Sequence, residues 1–150
     1  MKKSYIWSLP TRVFHALFVL FITIAFLSAE DEWLNFHAVI GYGVLILVIF
    51  RLFWGIFGPK YSLFRDFPFG KTNIKDFFNH LFEEKLKYVG HNPVASYVMI
   101  SMLVVAILAV ITGALAFGIQ EGKGIFSFLN SSFFKKMELF SGIHEIFANL

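Results

Sequence analysis

The chain has 150 residues, 57% hydrophobic and 15% charged, with 21 phenylalanines, no cysteine and a formal net charge of +3. A soluble domain usually carries about a quarter charged residues, so this composition excludes an ordinary soluble core and points to a polytopic membrane protein. The lack of cysteine excludes disulfides, thiolate-ligated clusters and covalent cofactor attachment through thioethers.

The first apolar segment covers residues 13–29 and is introduced by Pro10-Thr11-Arg12. It lacks a small-x-small cleavage site before its acidic exit and reads as a retained span, with Tyr5 and Trp7 as interfacial anchors. The second covers residues 33–57, with Arg51 as its only charge and Trp33 and Trp54 near its ends. The polar stretch of residues 59–92 follows. Within it, Ile74, Phe77, Phe78, Leu81 and Phe82 have the spacing of an amphipathic helix over 73–87. Such a helix lies on the inner membrane surface or packs on the base of the bundle. Gly90-His91-Asn92-Pro93 reads as a helix boundary, with Asn92 as cap and Pro93 in the first turn. The third segment covers residues 94–119. A Gly-, Ser- and Phe-rich loop leads to a fourth, residues 137–150, which reads as an incomplete span and the chain as truncated there. The expected fold is all-α: an up-and-down four-helix transmembrane bundle in one domain.

Charge gives the orientation. Ten basic residues fall before the first segment, near the far end of the second or between the second and third, against three after the third. The positive-inside rule then puts the N-terminus and the long middle loop in the cytoplasm. Nothing suggests a nucleic-acid partner.

Three histidines sit near the entry ends of separate apolar segments: His15, His37 and His144. Ionisable side chains at membrane depth usually face the bundle interior and have a function there. Imidazoles on neighbouring helices can grip a haem iron from both sides. With alternating helix directions, His37 and His144 share the outer level and His15 lies alone near the cytoplasm. A partner for His15 would fall about four turns past His144, roughly 14 residues on and beyond the last residue. Arg12 lies three residues before His15, and Arg51 about four turns after His37. Both arginines would turn inward at the cytoplasmic level, where guanidinium can pair with haem propionates. Gly41 and Gly113 would let a flat macrocycle approach the backbone. Plainer readings stand beside these: an interfacial histidine at 15, topology-setting arginines, close helix packing at the glycines, a solvated His80 and a turn-bonding His91.

The ordered set of Trp7-Ser-Leu-Pro-Thr-Arg12-Val-Phe-His15, His37 with Gly41, Arg51 with Trp54-Gly55, Gly90-His91-Asn92-Pro93, Thr112-Gly113, and His144-Glu145 with Ala148-Asn149 resembles the bacterial cytochrome b561 family. That family includes the b-type cytochrome subunit of nickel-iron hydrogenases. The resemblance implies a four-helix, di-haem protein of the bacterial inner membrane. It would serve as an electron carrier or as the cytochrome subunit of an oxidoreductase complex. Its axial ligands would include His15, His37 and His144. Its partners would be lipid, and quinone or a redox subunit such as a hydrogenase or a c-type cytochrome; a homodimer is allowed. The rival is a haem-free membrane anchor or assembly subunit, and a weaker one is a metal-ion transporter.

Overall fold

A computed structural model describes residues 8–79, 92–135 and 138–150. Expectations for Tyr5, Trp7, His80, Gly90 and His91, and for the second half of the 73–87 helix, lie outside these residues. The described residues form helices and no strands. The long helices are α1 (Leu9–Leu27), α2 (Leu34–Phe57, entered through a 3-10 turn at Asp31–Trp33) and α4 (Pro93–Glu121). The shorter ones are α3 (Lys71–Asn79), α5 (Ser132–Lys135) and α6 (Leu139–Ala148). Among the described residues three helices are long and apolar enough to cross a membrane, and α6 is a shorter apolar helix.

Helix α1 starts four residues earlier than its apolar run. Pro10 occupies the first turn, where its missing N–H removes no helical bond, so Pro10-Thr11-Arg12 belongs to the helix. At its other end the last carbonyls need donors, and Ser28 supplies two. Its backbone N–H and its hydroxyl both reach Ile24 O and Ala25 O. Glu30-Asp31-Glu32 then precede α2, placing negative charge at the positive end of its dipole. Helix α4 has the expected boundary: Asn92 Oδ1 accepts from Ala95 N at 2.7 Å, Pro93 opens the helix, and Gly122 closes it in the left-handed conformation.

The helices pack in the order α1 on α2, α2 on α4, α4 on α6. The buried stripe of α2 is Ile40, Val44, Val48, Arg51 and Gly55. Val44 and Val48 meet Leu103 and Ala106 of α4, with Phe18 and Phe21 of α1 packed against them. Gly43 lets the Phe21 ring close on the α2 backbone: a Cβ there would lie 2.6 Å from it. In a membrane, where apolar burial alone drives little association, such close approach supplies packing energy.

Two loops close the ends. After α2 the chain folds back, and the Phe64 ring fills the space that a side chain at 55 would need. Helix α3 contacts α4, and Gly70 N donates to Tyr97 Oη nearby. Its described part therefore packs on the base of the bundle. At the opposite end, Asn130 Nδ2 donates to Ile119 O, and Lys123 Nζ donates to Asn35 Oδ1.

A histidine pair between helices

The fold brings His37 and His144 together and keeps His15 apart. The ring centres of His37 and His144 stand 6.0 Å apart, with planes inclined at 75°. An iron held between two imidazole nitrogens at about 2 Å from each separates the ring centres by roughly 6 Å.

Each ring is fixed by a backbone carbonyl from a different helix. His37 Nδ1 is 2.9 Å from Ala25 O of α1, and His144 Nδ1 is 2.8 Å from Ala109 O of α4. A carbonyl only accepts, so each Nδ1 carries the proton and donates it. The Nε2 lone pair is then the one left for a metal, which is how a backbone bond selects the metal-binding tautomer.

Helix α4 is shaped for this contact at Thr112-Gly113. A Cβ on residue 113 would lie 2.8 Å from His144 Cε1 and 2.9 Å from Nδ1, so glycine makes the room for the imidazole itself. The Thr112 hydroxyl bonds back to Leu108 O and Ala109 O. Gly41, one turn beyond His37, faces open space, with nothing within 4 Å of where its Cβ would be. A flat macrocycle beside His37 requires such a space. Two imidazoles fixed in the metal-binding tautomer, at the right separation and beside an unfilled face, fit a haem held by two histidines.

His15 lies in α1 ten residues before Ala25, about 15 Å along the axis. Its Nδ1 likewise bonds a carbonyl, Thr11 O at 2.7 Å. No other described histidine stands with it. Of the two arginines expected to turn inward, Arg51 is 2% exposed and Arg12 is exposed. Thr11 takes the inward position on α1, and the next residue points about 100° away. Arg51 Nη1 donates to Ser62 O at 3.1 Å and Nη2 to Met99 Sδ at 3.8 Å, its guanidinium lies 4.7 Å over the Phe64 ring, and among the described residues its Nε has no partner. Thr11 and Ser62 hydroxyls meet beside it at 3.2 Å.

The carbonyls of Ala25 and Ala109 and the hydroxyl of Ser28 escaped sequence reasoning. Main-chain acceptors carry no residue signature. The one available signal was Thr112-Gly113 inside an apolar helix, a hydroxyl and a gap side by side.

Membrane-length apolar helices, a paired set of imidazoles and no thiolate define a class: a helical membrane protein with a histidine pair suited to a cofactor held without covalent attachment. The chain belongs to the prokaryotic cytochrome b561 family, whose model matches residues 6–150. Membership brings the family's general role, membrane electron transfer through b-type haem. No curated protein and no solved structure matches the chain.

Proposed function

We propose that the chain is a one-electron carrier of a prokaryotic inner membrane, holding haem b between His37 and His144 near the outer face. The observation that carries this reading is the pair itself: two rings 6.0 Å apart, each with its Nδ1 proton given to the backbone of another helix. When bound, haem with two histidine ligands supplies a reversible one-electron couple and no open coordination position.

The protein's residues do the rest. His37 and His144 offer Nε2 lone pairs. Ala25 O and Ala109 O prevent the rings from rotating and hold the ring protons on the far side. Val44, Val48, Leu103 and Ala106 keep water from the centre of the bundle. His15 is the candidate ligand for a second haem at the cytoplasmic level, with Arg51 as the cation for its propionates. The excess of basic residues before α1 and between α2 and α4 supports a cytoplasmic N-terminus. Electrons would pass between a redox partner, such as a hydrogenase or c-type cytochrome, and the quinone pool.

The test is a reduced-minus-oxidised visible spectrum of the detergent-purified chain with a haem-to-protein ratio. A low-spin b-type spectrum, lost in both His37→Ala and His144→Ala, is expected. A folded, helical chain without haem would overturn the reading and leave the haem-free anchor.

A further inference from the structure

The two histidines are held alike, and each hold includes a third group. Ala25 O accepts His37 Nδ1–H at 2.9 Å and the Ser28 hydroxyl at 3.2 Å. Ala109 O accepts His144 Nδ1–H at 2.8 Å and the Thr112 hydroxyl at 3.1 Å. In both cases the hydroxyl is three residues after the carbonyl. In both it also bonds the carbonyl one residue earlier, at 2.8 Å from Ser28 and 2.7 Å from Thr112. Both side chains are buried, 5% and 8% exposed. One hydroxyl stands at the end of α1 and the other inside α4, and each reaches back one turn along its own helix.

Back-bonding by Ser and Thr is common in apolar helices. Thr23 does it to Val19 O, from an exposed position and to a carbonyl that holds no histidine. What sets Ser28 and Thr112 apart is that the carbonyl they share carries a ring proton of the pair.

We propose that Ser28 and Thr112 are positioning residues that weaken the electron donation of His37 and His144 and so raise the reduction potential of the iron between them. The inference rests on these two histidines being the ligands. A carbonyl oxygen shared with a hydroxyl has less electron density to offer an imidazole N–H. The Nδ1–H bond is less polarised, and Nε2 is a poorer donor to the metal. Remove the hydroxyl and the carbonyl bonds the ring proton more strongly. The ring gains anionic character, which favours the oxidised iron and lowers the midpoint. Ser28 and Thr112 act on opposite sides of one metal, so their effects have the same sign.

The experiment is potentiometric titration of the haem-loaded chain in four forms: wild type, Thr112→Val, Ser28→Ala and Thr112→Ser. Valine keeps the β-branched shape of threonine and removes only the donor. Thr112→Val and Ser28→Ala are each expected to shift the reduced-to-oxidised ratio about threefold toward oxidised, about 30 mV for one electron. Thr112→Ser is expected to stay at the wild-type midpoint. A midpoint that is unchanged or raised in both hydroxyl-free variants, or lowered equally by Thr112→Ser, overturns the inference. The hydroxyls lie on different helices, so a variant that fails to fold leaves the other to decide. Nitrogen NMR of the haem-free chain gives a second reading. The His144 Nδ1–H signal should move toward stronger hydrogen bonding in Thr112→Val, and an unmoved signal counts against the proposal. Haem that survives both His37→Ala and His144→Ala defeats the ligand assignment itself, whereas an unchanged midpoint with haem demonstrably on that pair defeats only the role of the hydroxyls.

Discussion

The His144 imidazole occupies the place of a side chain at Gly113: a Cβ there would stand 2.8 Å from its Cε1 and 2.9 Å from its Nδ1. Both neighbours are ring atoms, and the ring is tied to Ala109 O, so it has little freedom to yield. Gly113→Ala is therefore expected to push His144 off its carbonyl, at a packing cost of about 1–3 kcal/mol. Helicity by circular dichroism should persist while the b-type spectrum is lost or becomes high-spin. A wild-type spectrum in this variant would show that His144 does not need this seat to bind.

Gly41 makes the opposite case. Nothing lies within 4 Å of its absent Cβ, and alanine suits a helix interior better than glycine by up to about 1 kcal/mol. Gly41→Ala should leave the haem-free chain as stable as wild type or more so in a thermal melt. If the open face beside His37 receives the macrocycle, the same variant should retain less haem on dilution. Equal retention would place the macrocycle elsewhere.

These two glycines also show what the sequence could and could not reveal. Hydropathy located the three described helices that are long and apolar enough to cross a membrane, because such a helix must be apolar for its whole crossing. Helix direction and the entry positions of His37 and His144 placed them at one level, and the structure brings their rings together. Helix α1 begins four residues before its apolar run, because hydropathy does not register the polar first turn that Pro10 allows. Gly113 was read as room for a macrocycle or for close helix packing, and the structure seats the His144 ring against it. That seating depends on the rotation of α6 against α4, which no local pattern in either helix encodes. Arg12 is exposed where Thr11 is buried: spacing from His15 fixes which residues share a face, but not which face meets α2.

The loop after α4 should open in Tyr42→Phe. Tyr42 Oη accepts from Ile125 N at 3.2 Å and sits against Gly124, whose φ of +78° suits glycine. Losing this bond is expected to cost about 1 kcal/mol locally. Hydrogen exchange should rise over residues 123–130 with little change in the b-type spectrum. Unchanged exchange there would mean that Asn130 and Lys123 hold the loop without Tyr42.

Arg51 tests whether the two ends of α2 act independently. It lies 14 residues beyond His37, about 21 Å along the helix. Among the described residues no carboxylate pairs with it, so Ser62 O, Met99 Sδ and the Phe64 ring are its visible compensation. A cation so placed is costly unless its neighbours are exact in geometry, and an apolar side chain of similar length is often tolerated in its place. Arg51→Met should then lower stability by only about 1–3 kcal/mol, the cost of leaving Ser62 O without its donor. Arg51→Lys should fare no better, because an ammonium cannot span the Ser62 carbonyl and stack on Phe64 as a planar guanidinium does. In both variants the signal from His37 and His144 is expected to remain, with any haem at the cytoplasmic level bound more weakly. Loss of the outer signal in Arg51→Met, in a chain that is still helical, would show that this buried cation organises the whole of α2 and not its inner end alone.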